Sequence, residues 1–201
     1  MTHDHFNKAF DFCKSILTNA PEAGHDWLHT LRVLNLSEKI AQTEPGNKTI
    51  IQLGALFHDI ADSKFNDGND DKGWQTAQAW MNQNDIEEIT IEKITHLIKN
   101  ISWHKKYQYS PAEFPELAIV QDADRLDAIG AIGIARAFSF GGYKKRLLYS
   151  TSENETDSTL SHFYEKLIHI KDSMNTPTGK KLAEERHQFM MQFIQRFEQE
   201  I

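Results

Sequence analysis

The chain has 201 residues, and its 22 Lys and Arg against 29 Asp and Glu give a formal charge of −7. That length suits one domain with a substantial core. The acidic balance argues against a nucleic-acid or anionic-membrane surface but leaves room for a small phosphorylated substrate, which needs only a local positive site. One cysteine excludes a disulfide framework and a Cys-rich zinc module. No apolar run approaches the ~20 residues of a membrane span. The N-terminus lacks the basic-then-apolar layout of a signal peptide, so a soluble cytoplasmic protein is expected.

Phe6, Phe10, Cys13 and Leu17 fall at three- and four-residue steps and predict a first helix stopped by Pro21. Cys13 lies on its apolar face and reads as a buried small hydrophobe. A second helix carries Trp27, Leu28, Leu31, Leu34 and Ile40 and ends before Pro45-Gly46. The third, from about Thr49 to Ala61, is apolar round most of its circumference, as a buried central helix is. After the polar break SKFNDGNDDKG comes a helix around Trp74 to Asn82. Asp85 and Glu88 have capping-box spacing for the next, which bears Ile86, Ile89, Ile94, Leu97 and Ile98. Ser102 to Glu113 reads as loop. Pro115 suits the first turn of one long helix running through Ala137 to Gly141-Gly142. Gly130 and Gly133 inside it predict close packing of another backbone. Residues 144–157 read as loop, Leu160 to Met174 as a helix, and Asn175-Thr176-Pro177 as a break before a last helix bearing Phe189, Met190, Phe193, Ile194 and Phe197. With no period-two alternation, repeat or linker, the expectation is all-α: a single-domain helical bundle over residues 1–201, with a motif core at about 24–140 and C-terminal helices at 157–200.

Polar residues interrupt this apolar pattern in three places. His58-Asp59 sits in the third helix, where burial is costly unless both groups are satisfied. Three readings fit the pair: a hydrogen-bonded couple, an acid–base pair, or two ligands of a cation. Adjacent helical residues point about 100° apart, so they converge on one ion only near a helix edge. His25 and His29 are four apart, and His29 interrupts the apolar stripe of its own helix. Asp122, Asp124 and Asp127 interrupt QDADRLDAIGAIGIARA. Three apolar helices thus each bring imidazole or carboxylate to a hydrophobic place, and one shared cation is the economical explanation. Ligation by N and O without thiolate suits Mn²⁺, Fe²⁺, Co²⁺ or Zn²⁺ better than Ca²⁺.

The set His29-xx-Arg32-Val33, His58-Asp59 and Asp124 resembles the H…HD…D signature of the HD superfamily of metal-dependent phosphohydrolases. HDWLHTLRV, ALFHDIADSKF, DADRLDAIGAIGIARAF, HFYEKL and MNTPTGKKLAEER resemble a compact, stand-alone bacterial branch from about residue 24 to 190. The resemblance implies an all-α HD bundle and hydrolysis of a phosphate ester or anhydride, commonly on a nucleotide. Some similar proteins cleave nucleoside or deoxynucleoside triphosphates to monophosphate and pyrophosphate with Mn²⁺. Nucleoside 5′-monophosphatase and cyclic-nucleotide phosphodiesterase activities are alternatives within the superfamily. A metal-containing nucleotide-binding module without turnover is the alternative outside enzymology.

Carried over by position, His29, His58, Asp59 and Asp124 are the ligands of one divalent ion, Mn²⁺ first, with Fe, Co, Ni, Zn or Mg as substitutes. Asp122 and Asp127 lie one turn or less away in the same block. Asp62 takes the place of an acidic residue acting on the nucleophilic water. Lys64 and Arg125 are candidate catalytic cations. His25, Arg32 and Asp127 are candidates for substrate contact, although Arg32 could equally pair with an acidic residue. His96 and His104 lie where some family members hold a second metal, but their spacing does not turn them inward. Lys144 and Lys145, after the Gly141-Gly142 pair, suit a basic loop closing over phosphates or merely a solvated one. Asp67, Asn69 and Asp71 imitate a Ca²⁺ loop, yet its sixth and twelfth positions are Lys72 and Gln78, so that reading fails. Trp27, Trp74, Trp80 and Trp103 could stack on a base or fill the core. The Phe/Met stripe of the last helix suits either a core or a homodimer.

Overall fold

The computed structural model describes residues 3–18, 26–60, 71–102, 110–151 and 158–201. Within them the helices are α1 (His3–Leu17), α2 (Trp27–Ile40), α3 (Lys48–Phe57), α4 (Lys72–Gln83), α5 (Glu88–Asn100), α6 (Pro115–Asp127), α7 (Gly130–Tyr143), α8 (Thr159–Glu165) and α9 (Pro177–Glu198). A 3₁₀ segment spans Leu167–Ser173. An isolated parallel bridge joins Leu147 and Ser158. The architecture is all-α, and no described helix is long and apolar enough to cross a membrane.

The helix least able to face water takes the centre. All of α3 from Ile50 to Phe57 except Gln52 is buried, and it packs against α1, α2, α5 and α6. Asn47 starts it by accepting from the amides of Thr49 and Ile50, while its own amide donates to Glu116 Oε1 at 2.8 Å. That bond ties the start of α3 to the first turn of α6, where Pro115 stands as expected. Trp27 and Trp80 lie in the core, Trp80 stacking on Phe12 and Trp27 meeting Phe10 edge-on. Cys13 is fully buried, and burial pushes its thiol well above the ordinary range. Phe138, Phe163, Phe193 and Phe197 join α7, α8 and α9, so much of the apolar stripe of the last helix is internal.

Four expectations need correction. The third helix ends at Phe57, so His58 and Asp59 occupy its C-terminal turn. Asp85 caps nothing: it adopts φ 53°, and α5 begins after Glu87 without a side-chain cap. The segment Leu160–Met174 is a short helix followed by the 3₁₀ segment. The long helix from Pro115 is two. Ile129 is extended (φ −129°, ψ 168°) and Gly130 takes φ +75°, which an L side chain rarely adopts. A Cβ at Gly133 would lie 2.3 Å from the Ala128 carbonyl oxygen. The close backbone approach is therefore real, but it comes from the turn preceding α7.

The C-terminal helix is fastened by Asp122. This fully buried carboxylate accepts from the amides of Asn175 and Thr176 at 2.8 Å each and from Thr176 Oγ1 at 2.7 Å. Thr176 in turn caps α9 through the Gly179 amide. Burial raises the pKa of Asp122, and the three bonds oppose that rise. Replacing Asp122 with Ala strands these donors, and we expect a loss of about 3 kcal/mol in urea denaturation. A loss below about 1 kcal/mol would show that α9 docks without it.

Candidate metal centre

Four residues from three helix ends meet. Asp26 caps α2 by accepting from the His29 amide at 2.8 Å, which sets His29 in the first turn. His58 and Asp59 follow α3, and Asp124 lies in the last turn of α6. The imidazoles of His29 and His58 have side-chain exposures of 1%, whereas Asp59 and Asp124 reach 16% and 37%, so the carboxylates face the opening.

The imidazole tautomers carry the argument. His58 Nδ1 lies 2.8 Å from the Ala55 carbonyl, an acceptor only, so this nitrogen bears the proton and donates it. His29 Nδ1 lies 2.7 Å from Asp127 Oδ2 and donates to it. Both Nε2 atoms therefore turn towards the same space, 3.2 Å apart. Two lone pairs cannot face each other at that distance without a positive species between them. Asp59 Oδ2 is 3.5 Å from His29 Nε2 and 3.8 Å from His58 Nε2, and Asp124 Oδ1 is 3.5 Å from His29 Nε2. Donor atoms of His29, His58 and Asp59 all lie within 4.8 Å of one another, close enough to hold one ion. Two nitrogens each about 2.1 Å from a common ion, at an angle of about 100°, are themselves roughly 3.2 Å apart. The donor set and its spacing fit a divalent cation.

Without metal, a proton on His29 fills the gap. Burial favours the neutral ring, but the bond to Asp127 and the charges of Asp59 and Asp124 outweigh it, holding the pKa up at about 9. Asp127 is buried too. Burial works against its charge, yet bonds from His29 and Arg32 and the charge of Arg136 hold its carboxyl well below the usual range.

The structure corrects several expected roles. Asp127 is not a substrate contact: it is 1% exposed, and its oxygens are taken by His29, by Arg32 (Nε at 2.6 Å, Nη2 at 3.0 Å) and by Arg136 (Nη1 at 2.6 Å). It orients His29 from behind. Arg32 spends its fork on Asp127, the structural alternative already open in the sequence. Arg125 is buried, and its Nη1 donates to the Ser173 carbonyl at 2.6 Å, which places it under the 3₁₀ segment and away from the cluster. Asp122 is committed to Asn175 and Thr176. Lys144 and Lys145 are exposed beyond the far end of α7, about 20 Å along the helix from its start. His25, Asp62, Lys64, His104 and Trp103 lie outside the described residues. Arg136 and Arg186 were not foreseen, although Arg186 closes the MNTPTGKKLAEER block. The Ala55 carbonyl leaves no trace in sequence at all.

The titration of His29 has two opposite consequences. Its pKa rises from 6.5 to about 9 on folding, so its contribution to metal-free stability is full below 6.5 and lost as pH climbs through 9. Metal uptake needs the neutral ring, so affinity increases with pH up to about 9, and binding near neutrality expels about one proton per ion. Titration calorimetry with Mn²⁺ in buffers of different ionisation enthalpy should show that proton. Heats independent of the buffer would contradict it.

Known proteins share this arrangement of chain. The HD domain model matches residues 27–129, a span containing all four clustered residues. YpgQ of Bacillus subtilis (strain 168) is 37% identical over 196 residues, covering 94% of this chain and 89% of YpgQ. The crystal structure of Bacillus subtilis YpgQ in complex with ADP is similar at TM-score 0.81 and 35% identity, covering 98% of this chain and 95% of that one. An HD-superfamily hydrolase from Bacillus thuringiensis is similar at TM-score 0.81 and 40% identity, covering 98% and 96%. Family match, near-complete coverage and the paired imidazoles agree: the chain belongs to the HD domain family.

Proposed function

We propose that the chain is a cytoplasmic metal-dependent phosphohydrolase, a single domain that cleaves nucleoside or deoxynucleoside triphosphates to monophosphate and pyrophosphate. The observation that carries the reading is the facing pair of Nε2 atoms with two carboxylates at their open side. ADP in the crystal of the Bacillus subtilis relative supports a nucleotide ligand.

In this reading His29, His58, Asp59 and Asp124 hold one divalent ion, Mn²⁺ by preference. When bound, the ion supplies Lewis-acid chemistry, lowering the pKa of water and polarising a phosphoryl oxygen. Asp127 and the Ala55 carbonyl fix which nitrogen of each imidazole points inward, a support of the kind that raises ligand basicity. Asp59 and Asp124 line the open side, where water and a phosphate chain enter. Asp62 orients the attacking water and accepts its proton. The water oxygen forms a bond to the α-phosphorus as the bond from that phosphorus to the α–β bridging oxygen breaks, and pyrophosphate departs. Lys64 offsets the charge that develops on the leaving group.

Product analysis tests the reaction. Metal-stripped protein reloaded with Mn²⁺ should yield monophosphate plus pyrophosphate from triphosphates within a panel of nucleoside tri-, di-, mono- and cyclic phosphates. Orthophosphate from monophosphates, or opening of cyclic substrates, would reassign the substrate and leave the site intact. No turnover despite bound metal would make the chain a nucleotide-binding module. Asp62→Asn should lower turnover at least about 100-fold with metal stoichiometry unchanged, whereas Asp124→Ala should lower both turnover and metal affinity. Full activity in either variant would contradict the assignment.

A further inference from the structure

The junction of α2, α6, α7 and α9 concentrates guanidinium groups. Arg32 and Arg136 both bond Asp127, which also serves His29. Arg186 donates through Nη1 to the Leu126 carbonyl. Burial pushes the Arg186 guanidinium down, Asp127 pulls it up, and the charge of Arg32 pushes it down again. Two guanidiniums and an imidazole thus bond one buried carboxylate, and the Arg186 guanidinium lies close enough to feel its charge. Of the other acids, Asp26 acts on Arg32, and the exposed Glu185 lines the cavity beside Arg186.

Beside Arg186 opens a cavity of about 300 Å³, lined by Ile129, Gly130, Ile132, Glu185, Arg186 and Phe189. Its wall is chiefly apolar, and Ile132 and Phe189 remain 43% and 50% exposed. The chain conformation makes room for the cation. A Cβ at Gly130 would meet Arg186 Cγ at 3.0 Å and Cβ at 3.1 Å, so the left-handed glycine that separates α6 from α7 also seats the Arg186 stem. No side chain caps α7, and its opening amides are donors that add to the guanidinium in attracting an anion. His29 sends Nε2 to the cluster and Nδ1 to Asp127, and none of the four residues of the metal centre lines this cavity.

We propose that this cavity is a second ligand site, separate from the metal centre and independent of the reaction assigned there, for a mononucleotide. Its phosphate lies on Arg186, and its ring lies against Phe189 and Ile132. A guanidinium fork matches a phosphate in charge and geometry, and an exposed aromatic face matches a base. The volume sits at the lower end of small-molecule sites, suited to one ring system with one phosphate group.

The test is titration of adenosine 5′-monophosphate, and separately of inorganic phosphate, onto the full-length metal-stripped protein, followed by NMR. Wild type is compared with Arg186→Lys, Phe189→Ala and His58→Ala. Arg186→Lys keeps a stem against Gly130 while removing the fork, and circular dichroism confirms the fold of each variant. The nucleotide should bind wild type and His58→Ala alike and at least about tenfold more weakly to the other two variants, with inorganic phosphate weakened by Arg186→Lys alone. Loss of nucleotide binding in His58→Ala would place it at the metal centre instead. Unchanged binding in Arg186→Lys, or no binding to wild type at millimolar nucleotide, would overturn the second site.

Discussion

Two nitrogen lone pairs held 3.2 Å apart in a nearly dry space are the constraint on which the rest of the site turns. Each ring could escape by moving its proton, but each Nδ1 is committed: His58 to a carbonyl that can only accept, His29 to an ionised carboxylate. A cation between the rings resolves the conflict, and without metal a proton on His29 does so. That single requirement accounts for the buried imidazoles, the three carboxylates near His29 and the guanidiniums that keep Asp127 charged.

The bundle meets this requirement by ending helices where the site must form. His58 keeps helical dihedrals (φ −55°, ψ −32°) where α3 ends, and at that helix end its donor atom and that of Asp59 lie within 4.8 Å of each other. The stop after α6 leaves Asp124 and Asp127 in its last turn, one towards the opening and one behind His29. The break requires a left-handed Gly130, whose missing Cβ then admits the Arg186 stem from α9. Asp122, lower on the same helix, secures the start of α9. One aspartate-rich stretch of α6 therefore faces the cluster, braces a ligand and anchors the C-terminal helix.

Much of this was legible in the sequence because burial and periodicity are local. The apolar circumference of α3 marked it as central, Pro115 marked the start of α6, and His29, His58, Asp59, Asp122, Asp124 and Asp127 stood out as polar groups in hydrophobic places, with Asp124 singled out by the family resemblance alone. The break at Ile129 was hidden because apolar residues continue across it and glycine is also compatible with close helix packing. The separate duties of Asp122, Asp124 and Asp127 were hidden for another reason. All three are carboxylates within two turns, and only the elements packed around α6 decide which meets backbone amides, which meets solvent and which meets arginine. Arg125 and Arg186 look alike as isolated cations; their opposite destinations are set by long-range packing against the 3₁₀ segment and α7.

The most direct measurement is anomalous diffraction at the manganese edge from crystals of the Mn²⁺-loaded protein. The account predicts one strong peak between the imidazoles, about 2.1–2.3 Å from Nε2 of both His29 and His58, with Asp59 and Asp124 completing the protein ligands. A peak elsewhere, or rings still in contact with no metal between them, would contradict it.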